Sequence, residues 1–81
     1  MIPAIQSLSD TDLREIGRAL RSGRLSSPFS VASVQRYCSA QTAGPVAQAM
    51  QELVDEGMRA EHLALMFESL AEAKASSDDR L

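Results

Sequence analysis

From Leu8 onwards the apolar residues of this chain are spaced for helices, and serine, proline and glycine mark where each helix starts and stops. Leu13, Ile16 and Leu20 recur at i, i+3 and i+7, one face of a helix. Ser9 stands before them as an N-cap. Asp12, three residues on, can answer that cap and favours the positive helix end. Leu8 and Leu13 flank the cap at the spacing of a hydrophobic staple. Gly23 is the stop, because glycine enters the left-handed cap conformation at little cost. These signals predict a helix over 10–22.

Three more segments follow the same logic. Pro28 suits the first turn of a helix capped by Ser27, where a missing N–H costs nothing. Val31, Val34 and Cys38 share a face of that helix, with Phe29 and Tyr37 near it. No period-2 pattern supports a strand, so a helix over about 28–38 is predicted, although Val and Ser are modest helix formers. Ser39–Gly44 reads as a polar connection. Pro45 then opens a helix after Gly44 or Thr42 as cap. Val46, Ala49, Met50, Leu53 and Val54 give it the cleanest amphipathic pattern in the chain. Gly57 ends it, and Met58 falls where a residue past the cap packs back on Leu53. A last helix over about 60–74 carries Leu63, Met66, Phe67 and Leu70 on one face. Met1–Ser7, with Pro3, reads as a packed arm or a short helical turn. Short links between such elements predict an all-α fold: a small, compact bundle of four or five helices around one core. Residues 1–75 form a single domain in this reading, and 76–81 a flexible tail that frays.

Composition narrows the class. At 81 residues, 44% apolar but only 4% aromatic, the core must be built from Leu, Val, Ile, Met and Ala. A single Cys excludes an internal disulfide, and one Cys with one His leaves no zinc site. No apolar run approaches the ~20 residues of a membrane span. Met1–Ser9 has neither the basic start nor the apolar stretch of a secretion signal. A cytoplasmic domain without cofactor or metal, and with no membrane partner, is expected.

The residues that could do chemistry are few. His62 beside Glu61 has the elements of acid–base work, but no nucleophile lies at helical spacing from it, so a boundary histidine is the simpler reading. Cys38 lies on an apolar face and reads as a small buried hydrophobe. The four glycines are dispersed and form no phosphate cradle. No catalytic set is present in this reading, and the chain is taken as a non-enzyme.

Charge is distributed unevenly. Residues 1–40 hold Arg14, Arg18, Arg21, Arg24 and Arg36 against Asp10, Asp12 and Glu15, a balance of +2. Residues 41–81 hold eight acids against Arg59, Lys74 and Arg80, a balance of −5. At about 100° per residue, Arg14, Arg18 and Arg21 fall within roughly 60° of one another, away from Leu13, Ile16 and Leu20, and Arg24 extends the patch past the cap. Seven Arg against one Lys favours forked contacts with carboxylate or phosphate. On the last helix Glu61, Leu65, Glu68 and Glu72 share a face read as opposite the core. Leu65 is an apolar anchor within an acidic row. Glu52 and Asp55, with Gln48, are the outward residues of the preceding helix. Ordinary solvated faces are the bland alternative.

Three functions fit. The first is an interaction module that binds itself or a like helical domain, a basic surface on one copy meeting an acidic surface, carried on different helices, on the next. Such head-to-tail contacts build rings or filaments. The second is a helix-turn-helix nucleic-acid binder over residues 31–57, but Glu52 and Asp55 on its recognition helix would repel phosphates. The third is a small helical subunit or targeting domain with a hydrophobic groove partner.

The run Leu20-Arg21-Ser22-Gly23-Arg24-Leu25-Ser26-Ser27-Pro28-Phe29-Ser30, followed by Gly57-Met58-Arg59-Ala60-Glu61-His62-Leu63-Ala64, resembles small helical domains attached to bacterial anti-phage defence proteins. Two groups are similar: the N-terminal helical part of phospholipase D-like defence proteins, and the CARD-like (death-fold) domains of gasdermin-type systems. The likeness covers most of residues 8–74 and rests on helix lengths and punctuation, with no catalytic motif. It implies a homotypic adaptor that recruits or clusters an effector, such as a protease or a pore-forming protein, when phage infection is sensed. It also implies six antiparallel helices, the additional ones coming from Met1–Ser7, Ser39–Gly44 or a split helix.

Overall fold

A computed structural model describes residues 3–79 and, among them, five helices and no strand. They are α1 (Pro3–Gln6), α2 (Asp10–Ser22), α3 (Val31–Val34), α4 (Ala40–Asp55) and α5 (Ala60–Asp79). The fold is a small all-α bundle, and α1 is the short turn foreseen within Met1–Ser7.

α2 has the predicted bounds. The Asp12 N–H donates to Ser9 Oγ at 3.1 Å, and Gly23 closes the helix at φ +80° while its N–H donates to the Leu20 carbonyl. Leu8 and Leu13, the two arms of the staple, are both buried. Gly57 stops α4 at φ +110°, with its N–H on the Val54 carbonyl and the Met58 N–H on the Leu53 carbonyl. That pair of bonds is the Schellman arrangement. It brings Met58 and Leu53 back onto the core together.

The proline-based boundaries are different. Residues 28–38 do not form one helix. Pro28 lies in the link, after a cis Ser27–Pro28 peptide, and α3 starts only after Ser30. Ser30 and Ser33 cap each other through side chain and backbone, a reciprocal bond that Ser27 lacks. Phe29 turns inward instead, and its N–H donates to Gln51 Oε1 of α4 at 2.8 Å. Val34 is fully buried, but Val31 is 46% exposed and does not share its face. Ser39–Gly44 is not a connection. Ser39 caps α4, its carbonyl accepts from Thr42 and Ala43, and Pro45 sits inside the helix. Gly44 eases this, since a residue without Cβ avoids part of the clash that a proline ring imposes on its predecessor. α5 runs to Asp79, past the predicted end at 74. Arg80 and Leu81 of the expected tail lie outside the described residues.

The helices fall into two groups. α2 and α5 form the principal pair, and α4 packs with α1 and α3. The start of α2 (Leu13) lies against the end of α5 (Leu70, Ala73, Lys74), and its end (Leu20, Arg21) against the start of α5 (Ala60, Glu61, Leu65), so these two helices are antiparallel. Gly17 is a point of close approach: a Cβ there would sit 3.0 Å from Glu68 Cγ and 3.4 Å from the Ala64 carbonyl oxygen. Side chains from both groups, including Ile5, Leu13, Ile16, Val46, Met50, Leu63 and Phe67, meet in one core. Lys74 closes the bottom, donating to the carbonyls of Gln6 and Leu8.

Candidate interaction surface

α2 presents Arg14, Arg18 and Arg21, all exposed, because its Leu13–Ile16–Leu20 face is turned inward. α5 presents Glu61, Leu65, Glu68 and Glu72 for a different reason. Its buried residues include Ala64 and Ala71 as well as Leu63 and Phe67. Small residues open a second contact face toward α2, with Ala64 beside Gly17. The acidic row therefore flanks the α2 contact and does not lie opposite the core.

This overturns the expectation of separate basic and acidic surfaces. The two rows run side by side along the α2–α5 seam. Arg21 donates to Glu68 from both Nε (2.6 Å to Oε2) and Nη2 (2.8 Å to Oε1), a forked pair across the seam. The hydrogen bond from Arg21 holds the Glu68 carboxyl below its ordinary range, and Glu68 in turn raises the arginine. Below it, Arg14 and Arg18 line a concavity of about 240 Å³ together with Glu68 and Glu72. Above it, Leu20, Arg21, Ala60, Glu61 and Leu65 line one of about 370 Å³. Among the described residues, Arg21–Glu68 is the one ion pair formed. Leu65 is 49% exposed in the midst of these charges.

The remaining predicted residues lie elsewhere. Glu52 and Asp55 are exposed on α4, in the other helix group; Asp55 accepts from Gln51 Nε2 at 2.9 Å. Arg24 does not continue the α2 row. It belongs to the link before α3, where its Nε donates to Ser22 Oγ and it shares a concavity with Arg36 and Tyr37. Sequence reasoning passed over Arg36 and Tyr37, since nothing local says that α3 folds back toward Arg24. It also passed over Gly17, although an isolated glycine inside a helical pattern is a sign of close packing.

Of the chemistry candidates, His62 lies on the surface and Cys38 is short of the full burial expected of it. His62 is exposed, and no hydrogen bond to it is formed among the described residues. Cys38 is half-buried with its thiol on the Val34 carbonyl, and burial, followed by the charge of Asp12, pushes its pKa up. Among the described residues no group of three His, Cys, Asp or Glu is placed to hold a metal ion, and no helix is long and apolar enough to cross a membrane. No protein-family model matches the chain, and no curated protein or solved structure shows significant similarity to it.

Proposed function

We propose that the chain is a non-enzymatic protein–protein association domain that pairs with a second copy of itself, or with a like helical domain, through the α2–α5 strip. Leu65 carries this reading. It is a large apolar side chain half exposed among charges of both signs, the make-up of an anchor with a polar rim.

The order of the rows favours one geometry. Because α2 and α5 are antiparallel, Arg14, Arg18 and Arg21 run alongside Glu72, Glu68 and Glu61. A two-fold axis along the seam lays Arg14 and Arg18 of one copy over Glu72 and Glu68 of the other. It also sets Leu65 against the Leu20–Arg21 end of the second copy. Such a contact is self-complementary and closes on itself, so a pair replaces the filament or ring expected from separate faces. Charge complementarity of this kind gives register and weakens with salt.

The adaptor role implied by the likeness to CARD-like domains is compatible with this reading: paired or clustered copies would gather an effector in anti-phage defence. A helix-turn-helix role would instead use Gln48, Glu52 and Asp55 of α4, whose acids repel phosphates.

Sedimentation velocity of the full chain over a range of salt concentrations tests the proposal. Concentration-dependent pairing that weakens with salt is expected. L65D and R14E/R18E should shift the equilibrium to monomer without loss of helical circular dichroism, and R14E/E72R should recover part of it. A monomer at every concentration in low salt, or pairing untouched by L65D, overturns it. Retention on nucleic acid would favour the α4 reading.

A further inference from the structure

Along the α2–α5 seam, each concavity that holds arginines also holds a carboxylate. One concavity breaks this pattern. Where the link after α2 meets α3, a pocket of about 370 Å³ is lined by Arg24, Ser30, Ala32, Ser33, Arg36 and Tyr37. Its lining includes two arginines and no acid. A concave site of one charge sign focuses potential and concentrates the opposite ion.

We propose that this pocket binds the phosphoryl group of a small phosphorylated ligand. Arg24 is held by its Nε bond to Ser22 Oγ at 3.0 Å, which leaves its terminal nitrogens for a ligand. Arg36 forms no hydrogen bond among the described residues. Ser30 Oγ donates to Ser33 Oγ, and Ser33 Oγ to the Ser30 carbonyl. Each hydroxyl has a single proton to give, so these serines shape the wall, and the Tyr37 hydroxyl is the donor that remains. Two forks and a phenol match the oxygens of a phosphoryl dianion, whereas a carboxylate is satisfied by one fork. The volume is near the lower end of the ~300–1,000 Å³ typical of small-molecule sites, room for a ligand of sugar-phosphate size. Ala32 and the half-buried Tyr37 ring supply an apolar wall for its remainder.

The test is a titration of the ¹⁵N-labelled full chain with inorganic phosphate, ribose 5-phosphate and acetate at matched ionic strength. Saturable shifts of the amides of Ser30, Ser33 and Tyr37 are expected with both phosphates, and acetate should bind at least about tenfold more weakly. R24Q and R36Q should each weaken phosphate binding roughly tenfold, the worth of a charge-assisted bond. R24K and R36K should also weaken it, since an ammonium cannot fork. R14Q/R18Q, on the seam, should leave it unchanged, which separates this site from the association surface. The amides of Gly57 and Leu63 report the fold of every variant. No saturable response, an equal response to acetate, or equal weakening by R14Q/R18Q overturns the proposal.

Discussion

Arg21 grips Glu68 with two nitrogens across a seam that joins residues 47 positions apart in the chain. The pair is exposed, so its contribution to stability is modest and screened by salt. Its pH dependence has a definite sign. A carboxylate whose pKa is depressed on folding contributes stability that is fully present above its unfolded value, about 4.3 for Glu. That contribution is lost as pH falls through the lower folded value. Thermal melts should therefore show E68Q less stable than the parent at pH 7, with the gap closing as the solution is acidified well below 4. A gap that stays constant with pH would show that the charge of Glu68 is not what the seam uses.

The same pair makes Arg21 unsuitable for a charge-reversal test of association. R21E sets two carboxylates against each other inside one molecule. It should lower the melting temperature on its own, and E68R should restore it, whereas R14E and R18E, which face Glu68 and Glu72 across a concavity but break no hydrogen bond, should lower it less.

Gly17 sets how near the two helices can come. Alanine gains about 1 kcal/mol over glycine in a helix interior. Here its Cβ would press on Glu68 Cγ at 3.0 Å, on a side chain that Arg21 holds in place. G17A should therefore be destabilising in the parent and stabilising in an E68A background, as read by urea unfolding. G17V has no such relief against the Ala64 carbonyl and should cost about 2–3 kcal/mol in both.

Pro45 and Gly44 are coupled in the same manner. Pro45 removes one α4 hydrogen bond, to the Gln41 carbonyl, so P45A should stabilise by about 1–3 kcal/mol. G44A has open space for its Cβ but meets the proline ring. It should destabilise the parent and stabilise P45A, and a double-mutant cycle measures the change of sign.

The end signals that depend on one residue were legible in the sequence: Ser9 and Gly23 around α2, and Gly57 with Met58 after α4. Proline was the misleading signal. Pro28 and Pro45 both read as helix starts, but Phe29 is drawn to Gln51 and Ser39 caps α4 earlier, and both are decided by contacts or by a competing cap. The charged rows were legible as rows. Their adjacency was not, because it depends on Gly17, Ala64 and Ala71, and small residues contribute almost nothing to a periodicity built on Leu, Ile and Phe. The Arg24–Arg36 pocket joins a link to a short helix, a placement that no spacing encodes.

The antiparallel α2–α5 pair has a consequence for how the chain folds. Its halves are separated by the whole of residues 23–59, so neither can shelter the other until that long intervening stretch has been gathered in. Closing it costs entropy before the contact repays it, which makes the pairing a late step for a helical protein. A fragment ending before Ala60 would leave Leu13, Ile16 and Leu20 without their cover. Two pieces cut in the link at Ser26 or Ser27 should recover helical order only when mixed.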